Sequence, residues 1–222
     1  MASPLRNTEQ AQIVLEQVLE TTDTLEWPSA VLSTVASAYG QLGYEEQAQA
    51  LLESAMRAAI DIDAPPEQAW ALRSVALAAG QLENEEQAQA LLEQALEVTN
   101  AFSDDYGDFY GSLFNSSVLE GIAYGAVHLE EAARARAVLQ QVLEVITTTE
   151  AIPGANFNML SAVAGAAGYL EDAAQAQAVL QQVLEIVKTA NVAPALNSDV
   201  LIAVTDAYAQ SINAVTDRST SE

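Results

Sequence analysis

One ten-residue block is written five times along the chain: AQIVLEQVLE from Ala11, AQALLESAMR from Ala48, AQALLEQALE from Ala88, ARAVLQQVLE from Ala135 and AQAVLQQVLE from Ala176. Taken as equivalent positions, these alanines lie 37, 40, 47 and 41 residues apart. A repeat of that size cannot bury its apolar face alone, so it constrains the chain to a solenoid in which each unit stacks on its neighbours. Ahead of each block from the second onward runs another amphipathic stretch: AVLSTVASAYGQL, WALRSVALAAGQL, VLEGIAYGAVHL and MLSAVAGAAGYL. A fifth, LIAVTDAYAQSI from Leu201, is followed by no block.

Both stretches carry the helical period. Apolar residues recur at steps of three and four, as in Leu32, Val35, Tyr39 and Leu42, then Leu51, Leu52, Ala55 and Met56. The links GYEE, ENEE, EEAA and EDAA are short enough to fold each pair into an antiparallel hairpin. Their carboxylates fall at the start of the second helix, the positive end of its dipole. Alanines such as Ala36, Ala38, Ala48, Ala50 and Ala55 let the paired helices approach closely. Between hairpins, Trp27-Pro28, Pro65-Pro66, Pro153-Gly154 and Pro194 end one helix and pre-set the next. Asn100 to Ser112, NAFSDDYGDFYGS, reads as a longer linker that accounts for the 47-residue spacing, and the terminal TDRSTSE is expected to fray. The expected fold is all-α: a right-handed α-solenoid of about four hairpins in one domain over residues 1–212, flanked by an N-terminal helix and a C-terminal capping helix. Residues 213–222 would form a flexible tail.

At this point the chain resembles the tetratricopeptide repeat family, whose pattern places a small residue and an aromatic in the first helix, a glycine in the turn, then alanine, a large apolar residue and alanine in the second. The second block's hairpin matches through Ala36, Tyr39, Gly43, Ala48, Leu52 and Ala55. Later copies keep Ala76, Ala88, Leu92 and Ala95; Ala123, Ala135 and Leu139; Ala164, Ala176 and Leu180. They replace the aromatic with Ala79, Ala126 and Ala167 and the turn glycine with Glu83, Glu130 and Glu171. The spacing exceeds that family's 34 residues and overlaps that of HEAT and armadillo repeats, which leaves HEAT as the second choice.

Charge and composition restrict the partners. Thirty-one acids against seven bases give −24, which excludes a nucleic-acid backbone as a general ligand and disfavours anionic membrane surfaces. The acidity reads first as a device for solubility and second as a means of recruiting a basic partner. No cysteine is present, so thiolate chemistry and Cys-ligated metals are excluded. The opening MASPLRNTEQ lacks an apolar signal core and no apolar run is long enough to span a bilayer, so a cytoplasmic protein is expected. His128 is the only histidine and has no serine or carboxylate at a triad-like spacing; it aligns with Gln41, Gln81 and Tyr169 near the first-helix turn. Asp104, Asp105 and Asp108 fail the calcium-loop template, which would put Phe109 where glycine is needed and Asn115 where glutamate is needed. No enzyme activity, metal or cofactor is expected.

If the array curves as the resemblance implies, the first helices line its concave face. The residues there free of packing would be Ser33, Ser37, Gln41, Trp70, Arg73, Leu77, Gln81, Glu120, Tyr124, His128, Ser161, Tyr169, Ile202 and Asp206. Trp70, Arg73, Leu77, Glu120, Tyr124, His128, Tyr169 and Asp206 form the candidate partner-binding groove. Only Arg73 is basic, so the groove suits an apolar or basic protein segment better than an acidic tail. Tyr124 and Tyr169 could equally pack between neighbouring first helices. The expected function is a non-catalytic interaction scaffold, with a self-assembling or subunit-bridging protein that uses its end faces, a homo-oligomer, as the alternative.

Overall fold

The computed structural model describes residues 4–22, 25, 28–105, 107–148, 153–170, 172–189 and 194–219, with side chains described over 10–22, 25, 28–100, 113–148, 157–170, 172–189 and 198–211. Among these residues it holds ten α-helices and no strand. Helix α1 (Pro4–Thr22) stands first. Four hairpins follow: α2 (Ser29–Gln41) with α3 (Glu45–Ile60), α4 (Pro65–Ala79) with α5 (Glu85–Asp105), α6 (Gly107–Ala126) with α7 (Ala132–Thr148), and α8 (Pro153–Ala167) with α9 (Ala173–Thr189). Helix α10 (Pro194–Ser219) closes the series. First helices α2, α4, α6, α8 and α10 each pack on the next to make one column, and second helices α3, α5, α7 and α9 make another. The fold is thus the all-α stack of hairpins that the repeat implies.

Punctuation explains the boundaries. Pro65 opens α4, Pro153 opens α8 and Pro194 opens α10, each at a first-turn position where the missing N–H has no helical acceptor to lose. Pro28 precedes α2, while Trp27 lies outside the described residues. Asn84 and Asp172 cap second helices: Asn84 Oδ1 accepts from the Gln87 N–H at 3.2 Å, and Asp172 Oδ1 from those of Ala174 and Gln175 at 2.9 and 3.2 Å. Gly43, at φ +79°, makes the left-handed turn between α2 and α3, where the Tyr44 N–H reaches back to the Tyr39 carbonyl at 2.9 Å. Glu83 and Glu130 stand in later turns without positive φ; there the Leu82 and Leu129 N–H groups close a tighter turn onto Ala79 and Ala126.

Two sequence expectations are corrected. Asn100 to Ser112 is not a linker: α5 continues to Asp105 and α6 begins at Gly107, so the long spacing comes from longer helices. No proline interrupts that stretch, and a glycine near a helix end costs only about 1 kcal/mol relative to alanine. The boundary at residue 212 falls inside α10, which runs on to Ser219; residues 220–222 lie outside the described residues.

The core is one continuous apolar cluster running from Val35 to Ala207. Its rungs are the block positions: Leu52, Leu92, Leu139 and Leu180, with Ala48, Ala88, Ala135 and Ala176 beside them, are all buried. Each such leucine contributes about 1.5–3 kcal/mol by leaving water. The first-helix column is tighter than the second. A Cβ on Gly125 would lie 2.3 Å from the Ala76 carbonyl oxygen, and one on Gly121 would lie 2.9 Å from that of Arg73, so α4 and α6 meet backbone to backbone. The second-helix column is joined through longer polar side chains. Glu45 accepts from the Asn84 N–H at 3.2 Å and Glu85 from the Glu131 N–H at 3.0 Å, so the leading acids of α3 and α5 also tie down the next hairpin's turn. Arg134 joins Glu131 at 2.6 Å and Glu85 at 3.7 Å, and its hydrogen bond to Glu131 holds the guanidinium proton more firmly than usual.

Tyr39 and Tyr44 pack edge to face with centroids 5.8 Å apart, and the Tyr44 hydroxyl donates to Gln12 Oε1 at 3.1 Å, fastening α1. Burial raises the Tyr39 phenol above its ordinary 10.0, with the Glu16 charge and Tyr44 adding to the effect. The neutral form is therefore the one the fold prefers. Its stabilisation is complete below about pH 10 and is lost as pH rises through the higher folded value, because there the unfolded chain releases the proton first. Melting temperatures measured from neutral to strongly alkaline pH should fall above that point, and Tyr39→Phe should flatten the fall.

Candidate functional site

On a first helix, positions i, i+3, i+7 and i+11 fall within about one third of a turn of each other. On α4 and the turn after it those positions are Trp70, Arg73, Leu77 and Gln81; on α6 and its turn they include Glu120, Tyr124 and His128. The corresponding set on α8 is Asn158, Ser161, Gly165 and Tyr169, and on α10 it includes Ile202 and Asp206. Side-by-side packing of these helices aligns the stripes into one face.

The centre of that face is a contact cluster. Arg73 Nη2 pairs with Glu120 Oε1 across the α4–α6 seam at 3.3 Å, both side chains partly exposed. Tyr124 stands one turn beyond Glu120, and its hydroxyl lies 3.3 Å from where a Cβ on Gly165 would be. Burial raises the Tyr124 phenol above the usual value, with the Glu120 charge and Tyr169 adding and Arg73 opposing. Glycine at 165 leaves room for that ring; residue type alone singled out Tyr124 but not the gap that receives it. Tyr124 is half-buried between α6 and α8, which makes it chiefly a packing residue with one exposed edge.

The outer members of the set are more open. Trp70 is 57% exposed and Tyr169 61%, high values for side chains of this size. His128 and Asp206 are exposed, Leu77 partly so. Beside Leu77, the α2–α4 seam opens into a shallow depression of about 400 Å³ floored by Ser37, Ser74 and Ala78, in which Ser37 donates to Gln81. Ser33 is a correction: expected on the free surface, it is buried and donates to the Ser29 carbonyl at 2.7 Å, so its hydroxyl is consumed within α2. Glu120 is likewise already paired with Arg73. The pair is exposed enough to be worth at most about 1 kcal/mol, so an incoming base can exchange for it.

Among the described residues no group of three or more His, Asp or Glu side chains could hold a metal ion, and the side chains of Asp104, Asp105 and Asp108 lie outside them. No described helix is long and apolar enough to cross a membrane. Fold and face together define an all-α helical repeat with an open, partly aromatic surface along its first helices. No family model matches the sequence, and no curated protein matches it. Among solved structures, the crystal structure of BtubC (BKLC) from P. vanneervenii is similar, at 16% sequence identity and a TM-score of 0.45, covering 99% of this chain and 91% of that one.

Proposed function

We propose that the chain is a non-catalytic, tetratricopeptide-like scaffold that holds a protein segment on its first-helix face, the segment carrying an apolar or aromatic anchor beside a base. The observation that supports this most is the pair of exposed aromatics, Trp70 and Tyr169, flanking the Arg73–Glu120–Tyr124 cluster. Rigid aromatics give large contact area at small entropic cost, and they dominate binding energy where they occur at interfaces. Asp206 and an exchangeable Glu120 offer acceptors for Lys or Arg, in keeping with the −24 charge.

The test is an array of peptides combining Leu, Phe or Trp with Lys or Arg, set against counterparts in which the bases are replaced by acids. Ligands found there would then be titrated against the wild-type chain and a Trp70→Ala, Tyr169→Ala double variant. Acidic counterparts should fail to bind, and the double variant should bind about 30-fold more weakly, the 2 kcal/mol expected of a hot spot. Because both side chains are exposed, its melting temperature should not change. Equal affinity in the double variant would remove this face from consideration.

A further inference from the structure

Among the described residues, two helices of the array lack the partner their register assigns them. Helix α1 carries the second-helix block, yet among the described residues no first helix precedes it; α10 carries the first-helix pattern, and among them no second helix follows it. Both show the consequence at specific positions. Val14 of α1 corresponds to Leu51, which is partly buried, and to Leu91, Val138 and Val179, which are 4%, 0% and 0% exposed, but Val14 itself is 57% exposed. Tyr208 of α10 corresponds to Tyr39, Ala79, Ala126 and Ala167, all buried, but is 44% exposed; Leu201, in the register of partly buried Leu32 and of buried Leu72, Leu119 and Leu160, is 44% exposed as well.

Each end also has an open furrow where the array would continue. At the first end, Ala11, Val14 and Leu15 of α1, Ala38 of α2 and Leu42 just after it line a furrow of about 520 Å³, the place a first helix would occupy. At the other, Leu180, Leu184 and Lys188 of α9 and Val204 and Tyr208 of α10 line one of about 470 Å³, the place of a second helix. We propose that the occupant of each is the other end of a second copy: α10 of one molecule and α1 of the next form a composite hairpin, so the array continues head to tail across molecules. The new interface continues the α8–α9–α10 packing already present in the chain. One charge pair fits it: α9 carries Lys188, which meets Glu185 of its own helix at 2.7 Å, where α7 has Thr147, and the continued register brings it opposite Glu20 of the incoming α1. Such a contact is heterologous and leaves both outer ends free, so it extends into open chains of molecules. Each copy carries −24, so association rises with ionic strength as the mutual repulsion is screened.

Light scattering of the wild-type chain over two decades of concentration, at low and high salt, should give a mass that grows beyond the monomer's 23.5 kDa and grows more at high salt. Val14→Glu blocks one end and Tyr208→Glu the other; both positions are exposed, and circular dichroism confirms that each variant folds. Each alone should be monomeric, while an equimolar mixture should form a dimer and stop there, because it holds one intact furrow at each end. Wild type that stays monomeric at every concentration and salt overturns the proposal. So does either single variant that dimerises alone, which would mean a symmetric contact. The Trp70→Ala, Tyr169→Ala variant should assemble as wild type does, which keeps this outcome separate from that of the binding face.

Discussion

Leu139→Ala is expected to cost about 2–5 kcal/mol and to split one unfolding transition into two. Leu139 is fully buried on α7, at the block position it shares with Leu52, Leu92 and Leu180. Its helix touches α5, α6, α8 and α9 and no element farther away. In such a one-dimensional array the two ends communicate only through the middle, so a cavity there weakens their coupling as well as local packing. Both tryptophans, Trp27 and Trp70, lie in the first half of the chain, so their fluorescence follows that half while circular dichroism follows the whole. In urea the two signals should part in Leu139→Ala. Coincident curves at a lower midpoint would show that the array unfolds as one body despite its repeats.

Gly125→Ala should destabilise by about 1–3 kcal/mol, the usual range for overpacking, whereas Gly40→Ala should stabilise by up to about 1 kcal/mol through helix propensity. The chemical change is the same and the sign differs because of the neighbours. A Cβ on Gly125 would stand 2.3 Å from the Ala76 carbonyl oxygen and 2.9 Å from Leu92 Cδ2, whereas one on Gly40 meets nothing closer than 3.8 Å. Backbone cannot yield as a side-chain tip can, so α4 and α6 must separate. Urea midpoints with unchanged slope would measure both values. If Gly125→Ala stabilised, the close meeting of the two helices would be wrong.

Repetition made most of the architecture legible. Five blocks fixed the second helices, the stretches before them the first helices, and proline or a short acidic link most boundaries. What failed was local. The run from Asn100 to Ser112 looked like a loop because glycines, aspartates and aromatics cluster there, yet it lacks a proline, and only proline forbids the helical hydrogen bond outright. The face was legible as a stripe but not as a set of contacts. Arg73 and Glu120 are 47 residues apart, and their pairing follows from the glycine-permitted approach of α4 to α6, which single-residue reading does not encode. Ser33 sits in the stripe by register and is buried all the same.

The two columns of the stack differ in how their members touch. First helices α4 and α6 meet through glycine and alanine at backbone distance, and Gly168 after α8 comes as near to Ala207 of α10; second helices α3, α5 and α7 are bridged by glutamine, glutamate and arginine side chains with several rotatable bonds. A seam closed backbone to backbone has no rotatable side chain to take up a displacement, whereas the bridged seams do. Under a load along the array, the α4–α6 seam should therefore hold while the bridged seams between second helices yield. The spacing of Trp70 from Tyr124, set by that seam, should then stay nearly constant while the far column lengthens, so that part of the exposed face would survive a change of curvature.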